Sequence, residues 1–259
     1  MISKTVITGG ASGIGLAIAA KLLADGGKVC LLDQSDANLV AAQERFGSER
    51  VMTATADVRD DAALNLAIRA GAEFMGGLTG CVASAGIGYR VPILESETSD
   101  FERVIAINLT GVYSTLRNAA QVMIERGTRG SLVSLASVCG VRGCADRAAY
   151  GAAKAGVINL TQVAAIEFAK HGIRANALCP APINTPLIDG VQSAQHKAEW
   201  LSTIPMDRYG EPAEVAELAS FLLGDKASYI TGQAIGVDGG WMGTGLQTAD
   251  THISRGAAE

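Results

Sequence analysis

Residues 5–15 read TVITGGASGIG. TVIT (5–8) is short, apolar and β-branched, which predicts a strand, and an apolar helical stretch follows over 14–25. Between them, Gly9, Gly13 and Gly15 allow a tight turn and close backbone approach. The helix start at Ser12, Gly13 and Ile14 offers free N–H groups to a pyrophosphate. Glycine-rich turns of this kind also occur without ligands. The place of this one in the first strand–helix unit is what points to a dinucleotide.

The same alternation continues outward from that turn. KVCLLD (28–33), VMTATA (51–56), LTGCVAS (78–84), SLVSLAS (131–137), IRANALCP (173–180) and AIGVD (234–238) read as further strands. Helical patterns fill 36–45, 61–73, 99–126, 150–170 and 212–223. Strand-then-helix order predicts an α/β, doubly wound, Rossmann-like fold, with a parallel sheet of about seven strands. No linker divides the chain, so residues 1–242 are expected to form one domain holding both cofactor and catalytic site. The stretch 184–210 interrupts the alternation and is expected to cover the substrate as a lid. Residues 243–259 read as a tail, either frayed or reaching a neighbouring subunit.

Composition narrows the function. Hydrophobic residues make up 48% of the 259 and charged residues 18%, enough for a large core and against disorder. A net charge of −5, with no basic run, gives nucleic-acid binding no electrostatic support. No run is apolar enough to span a bilayer, and MISKTVITGG reaches glycine before a leader's apolar region could form. The five cysteines form no CxxC pair, and the three histidines are widely spaced, so neither disulfides nor a metal is expected. A cytoplasmic protein with no membrane partner fits best.

Asp33 ends the second strand. A carboxylate there can accept hydrogen bonds from both adenine-ribose hydroxyls of NAD and repel a 2′-phosphate. The competing role is N-cap of helix 36–45, although Ser35 could serve equally well.

YGAAK (150–154) places Tyr150 and Lys154 on one helix face. A free phenol, with a pKa of about 10, is a poor base at neutral pH. A nearby ammonium and a positive nicotinamide would lower it, so that Tyr150 exchanges a proton with a substrate oxygen while hydride moves. YxxxK alone also arises as a surface pair. Two further positions strengthen the reading. Ser137 stands at a strand C-terminus, where open α/β sheets bind ligands. Asn108 lies within a helical pattern that gives asparagine no advantage, and holding a water would explain it.

Taken together, TGGASGIG (8–15), Asp33, the AD-V segment at 56–58, SAG (84–86), Asn108, Ser137, YGAAK, NALCP (176–180) and VDGG (237–240) resemble the short-chain dehydrogenase/reductase family, over residues 3 to 242. The resemblance implies that Tyr150 is the acid/base, Ser137 binds the substrate oxygen, Lys154 holds the nicotinamide ribose and tunes Tyr150, and Asn108 anchors the water of a proton relay. It also implies adenine contacts at Asp57 and Val58, carboxamide contacts at Ile183 and Thr185, and cofactor contacts at Ala83, Ala85, Gly86 and Pro180. Two departures stand out: ASAG (83–86) where the family usually has NNAG, and Pro180-Ala181 where it usually has Pro-Gly. Relatives of this kind pair through the two long helices into dimers and tetramers. A homotetramer is therefore expected, with Val157, Leu160 and Ala164 as outward apolar positions.

The substrate pocket is expected from 87–95, 138–147 and 184–204. Arg147 could bind a substrate carboxylate or hydroxyls, but a salt bridge with Asp146 or a second subunit is the preferred expectation. Cys139 and Cys144 read as small packing residues. Trp200 either closes the lid on an apolar substrate or merely packs it. The leading expectation is oxidation of a small-molecule secondary alcohol (polyol, sugar or cyclic diol) with NAD as cofactor. A 3-oxoacyl-thioester reductase is the alternative, against which Asp33 weighs. A cofactor-binding regulator would need no proton-relay set, and an extended epimerase would be longer.

Overall fold

The computed structural model describes residues 3–189 and 193–244. The expected tail therefore lies outside the described residues from 245 onward, as do 190–192 of the expected lid.

Seven parallel strands form one sheet: β1 (Lys4–Thr8), β2 (Lys28–Asp33), β3 (Val51–Thr55), β4 (Gly80–Ala83), β5 (Gly130–Leu135), β6 (Ile173–Pro180) and β7 (Ala234–Val237). Their spatial order is β3-β2-β1-β4-β5-β6-β7, so the winding reverses between β1 and β4. That reversal opens a crevice at the strand C-termini. The central strands read as unbroken apolar runs because both of their faces are covered. In β1, Val6 packs into one core and Ile7 into the other; in β2, Cys30 and Leu32 alternate likewise with Val29 and Leu31. Each fully buried side chain of this size contributes roughly 1.5–3 kcal/mol.

One face carries α1 (Gly13–Ala24), α2 (Asp36–Phe46) and the helix Pro212–Leu223, through Ile18, Leu22, Leu39, Ala42, Val215 and Leu222. The other carries α3 (Asp61–Met75), the helix Gly111–Glu125 and the helix Ala148–Phe168, through Leu64, Ile68, Val112, Leu116, Val157 and Ala164. Val157 and Ala164, expected to face outward, are thus core residues, and Leu160 packs partly against the same core. Apolar side chains exposed on the helices of this side include Leu66 and Phe74 on α3, Tyr113 and Ile124 on the helix Gly111–Glu125, and Val163 and Ile166 on the helix Ala148–Phe168.

The helix expected over 99–126 is two helices, α4 (Thr98–Ile105) and α5 (Gly111–Glu125), joined by a π-turn at Ala106–Thr110. The extra residue of a π-turn rotates side chains out of helical register. Here it turns Asn108 fully into the interior. The remaining helices are α6 (Ala148–Phe168), α7 (Pro186–Asp189), α8 (Ala194–Leu201) and α9 (Pro212–Leu223). Helices α7 and α8 are what the interrupted stretch 184–210 supplies beside the crevice.

Candidate active site

A cleft of about 380 Å³ runs along the strand C-termini. Asp33, Gln34, Ser35 and Asn38 line one end; Ser137, Arg147, Tyr150 and Trp200 line the other. Its floor is the glycine turn. Gly9 has φ +63°, and a Cβ there would lie 2.8 Å from the backbone of Ala85. Any other residue would push apart the ends of β1 and β4, where the crevice opens. Gly13 and the start of α1 face the cleft. Gly15 does not line the cleft: a Cβ there would collide with the carbonyl oxygen of Gly9, so its bare backbone lets α1 pack onto the turn.

At the far end, the Asp33 carboxylate accepts from the backbone N–H of Ala11 at 3.2 Å and of Ser35 at 3.1 Å. It is not the cap of α2. That cap is Ser35, whose hydroxyl accepts from the N–H of Asn38 at 3.3 Å. Asp33 instead fastens the glycine turn to the end of β2 and stays on the cleft wall. Asp57 and Val58 line the same end, the Asp57 carboxylate gripped by Arg59 with Nε at 3.0 and 2.9 Å. Ser84, Ala85 and Gly86 form the opposite wall, while Ala83 is buried within β4 and does not reach the cleft. Pro180, Ile183 and Thr185 line it toward the catalytic end.

At that end, Ser137, Tyr150 and Lys154 come together with Asn108 behind them. Lys154 is buried and donates from Nζ to the carbonyl of Leu135 at 2.6 Å; Nζ also lies 5.7 Å from the centre of the Tyr150 ring. The Ser137 hydroxyl accepts from the N–H of Cys139 at 3.2 Å. Asn108 binds the loop after β4: Oδ1 accepts from the N–H of Ile87 at 2.8 Å, and Nδ2 donates to the Ile87 carbonyl at 2.9 Å. These two bonds use one N–H and one oxygen lone pair of its amide, which has a second of each. A Cβ on Gly86 would lie 3.1 Å from Asn108 Oδ1 and 3.7 Å from Lys154 Nζ, so a bare backbone is needed where these side chains converge.

Burial dominates the titration of the pair. It pushes the Tyr150 phenol up to about 12, the Cys139 thiol adding to the rise, while a Ser137 hydrogen bond and the Arg147 charge pull it back. It also pushes Lys154 down to about 8, against the opposing pull of Cys179. In this structure burial thus raises the phenol rather than lowering it, and the charge that pulls it back is that of Arg147.

The substrate side is made of the loops after β4 and β5 and the short helices α7 and α8. Val138, Cys139, Ile87, Leu187, Ile188 and Trp200 give it an apolar lining. The Trp200 indole donates to His196 Nε2 at 3.1 Å and packs on Trp241 at 5.7 Å between ring centres, so it both lines the cleft and packs α8. Asp146 does not pair with Arg147. Its carboxylate takes Arg90 at 3.1 Å, while Arg147 Nη1 donates to the Tyr89 carbonyl at 3.1 Å.

Two residues of the quoted motifs, Asn176 and Asp238, hold main chain around β7, while Pro180, at the other end of NALCP, lines the cleft. Asn176 bridges to Ile230 and Gln233, and Asp238 accepts from the N–H groups of Gly240 and Met242. Val138 and Ile188 line the cleft as expected from the stretches 138–147 and 184–204, whereas Ala136 and Ile107 line it without a signal in the motifs or in those stretches. Ala136 and Ile107 are small or apolar and carry no polar signature. Among the described residues no group of His, Cys, Asp and Glu is placed to hold a metal, and no helix is long and apolar enough to cross a membrane.

Residues 9–242 match the family model described as enoyl-(acyl carrier protein) reductase. The chain is 37% identical over 247 residues to levodione reductase of Leifsonia aquatica, covering 91% of this chain and 92% of that protein. It is 41% identical over 239 residues to cis-4-hydroxycyclohexanecarboxylate dehydrogenase of Sinomonas cyclohexanicum, covering 91% and 95%. It is 38% identical over 237 residues to 2-dehydro-3-deoxy-L-rhamnonate dehydrogenase (NAD(+)) of Sphingomonas sp. (strain SKA58), covering 91% and 93%. The crystal structure of levodione reductase superposes with a TM-score of 0.88 at 36% identity, covering 95% of this chain and 100% of that one.

Proposed function

Because the chain belongs to the short-chain dehydrogenase/reductase family, and is therefore an oxidoreductase, we propose that it interconverts a secondary alcohol and a ketone with NAD. The observation that carries this is the single cleft with Asp33 at one end and Ser137, Tyr150 and Lys154 at the other. A dinucleotide fits such a cleft: a bare-backbone turn for the pyrophosphate, an uncompensated carboxylate for the ribose, and a buried ammonium near the far end. Gly9, Ser12, Gly13 and Ile14 would hold the phosphates, Asp33 the adenosine ribose, Lys154 the other ribose, and Ile183 and Thr185 the carboxamide.

Bound NAD supplies the hydride acceptor. The chain supplies the rest. Ser137 and Tyr150 bind the carbinol oxygen, and Tyr150 takes its proton as the carbon–oxygen double bond forms. Lys154 keeps its position through Leu135, and Asn108 holds the Ile87 loop against the site. The relatives' names support a cyclic alcohol or diol, sugar or polyol as the substrate class. Asp33 weighs against a 3-oxoacyl-thioester reductase, whose biosynthetic role favours the 2′-phosphorylated cofactor. The test is NAD reduction by purified protein over a panel of cyclic and acyclic secondary alcohols. Turnover of cyclic members is expected, and reduction only of 3-oxoacyl thioesters with NADPH would contradict the reading.

The same proposal includes a cytoplasmic homotetramer. Five free cysteines and the exposed Tyr113, Val163 and Ile166 on α5 and α6 support it. Light scattering at micromolar concentration is expected to report a tetramer, and monomer alone would contradict it.

A further inference from the structure

Arg147 reaches the substrate end of the cleft with its charge unanswered. Its guanidinium carbon lies 5.4 Å from the centre of the Tyr150 ring, and one amino group, Nη1, donates to the Tyr89 carbonyl at 3.1 Å. The carboxylate beside it in sequence is turned elsewhere. Asp146 has φ +62°, which aims its side chain at Arg90, Oδ2 to Nη2 at 3.1 Å, while its carbonyl accepts from the N–H of Val91 at 2.9 Å. The loop is thus built so that Arg90 consumes the local negative charge. Among the described residues no carboxylate pairs with Arg147.

A guanidinium is always charged and presents five donors in a rigid fork. Only one carbonyl uses that fork here. The same end of the cleft has the apolar side chains of Val138, Ile87, Leu187 and Trp200 in its lining. A half-buried guanidinium with donors to spare in such a cleft is suited to an anionic group brought in by the ligand. The phenol it faces is the group that meets the carbinol, so a counter-anion at Arg147 and a carbinol at Tyr150 belong to one small molecule.

We propose that Arg147 binds an anionic group of the substrate, so that the alcohol oxidised is a compact hydroxy acid whose carboxylate or sulfonate sits at Arg147 and whose carbinol sits at Ser137 and Tyr150. This rests on the dehydrogenase reading above and names its substrate class. Arg147 is then a specificity-determining residue. The apolar lining takes the carbon skeleton between the two polar ends.

The test uses matched ring alcohols: a hydroxycyclohexane carrying a carboxylate, a sulfonate, or a neutral carboxamide at the same position. kcat/KM is measured with NAD and with NADP for the wild type, Arg147→Gln and Arg147→Lys. Charge-assisted pairing predicts that wild type favours the better anion over the amide by about tenfold to a hundredfold. Arg147→Gln should bring that ratio near one. Arg147→Lys should keep part of it, since an ammonium retains the charge and loses the fork. Comparison of the two anions tells a carboxylate pocket from a sulfonate pocket. Wild-type preference for the amide, or equal use, overturns the anion assignment and leaves the dehydrogenase reading standing. An anion preference that survives Arg147→Gln overturns the role of Arg147. Absence of turnover on every alcohol with both cofactors overturns the dehydrogenase reading and this inference with it.

Discussion

The two ends of the cleft are made of different materials. The cofactor end is main chain and strand termini: the glycine turn, the Asp33 carboxylate held by two backbone N–H groups, and the ends of β1, β2 and β4. The substrate end is the start of α6, the short helices α7 and α8 and the loops between them, fastened by a few side-chain links: Arg90 to Asp146, Arg147 to Tyr89, and Trp200 to His196 and Trp241. A change at the first end must disturb the sheet. A change at the second need only break a link. Cofactor identity therefore belongs to the fold, whereas substrate identity rests on a handful of contacts that can be altered without unfolding the protein.

The sharpest way to break this comparison is at the point where the two ends meet. Tyr150→Phe removes the proton-transfer group and leaves the backbone cradle intact. Turnover should fall by about 10²–10⁴-fold, while NADH affinity by fluorescence titration stays close to wild type. More than about a tenth of wild-type kcat remaining would contradict the acid/base role. The same enzyme carries a pH signature. Because burial holds the Tyr150 phenol at about 12, its base form grows only on the alkaline side. Oxidative kcat/KM should therefore climb as pH rises. Since Arg147 pulls that phenol down, Arg147→Gln should move the alkaline limb to still higher pH. A limb that does not move would separate Arg147 from Tyr150.

A smaller effect is expected from the loop link. Asp146→Asn keeps a residue that tolerates the left-handed backbone and removes the charge that binds Arg90. A partly buried pair of this kind is worth about 1 kcal/mol, so KM for the alcohol should rise less than about tenfold. NADH affinity should not change. A loss of NADH affinity would show that the two ends are not independent.

The same division explains what the sequence discloses. The strands and most helix boundaries are legible because both faces of a parallel sheet need unbroken apolar runs and each helix one apolar stripe, as in TVIT and KVCLLD. The glycine turn and Asp33 are legible because a fixed spacing serves a fixed geometry. What is not legible depends on register and on distant partners. The π-turn at Asn108 leaves the amphipathic pattern of 99–126 looking like one helix. Val157 and Ala164 look like surface positions because alanine-rich α6 is apolar nearly all round, and only packing decides which side is core. The packing of Gly15 against Gly9 is not legible because it needs the turn already folded. The expected pairing of Arg147 with Asp146 fails because it rests on nearness in sequence, while Arg90, the partner of that carboxylate, lies in another loop.

The measurement that bears most directly on the account is kcat/KM with NAD and with NADP, for wild type and Asp33→Ala. The Asp33 carboxylate already accepts from Ala11 and Ser35, which fixes it at the cleft wall with lone pairs left for ribose hydroxyls. Charge-assisted bonds of this kind contribute roughly 1.5–3 kcal/mol, and a 2′-phosphate meets the carboxylate as a like charge. The wild type should therefore prefer NAD by at least about a hundredfold. Asp33→Ala should narrow that ratio from both sides, weakening NAD and relieving NADP. Equal use of the two cofactors by the wild type, or an unchanged ratio in the variant, would contradict the account and reduce Asp33 to a tie between the glycine turn and β2.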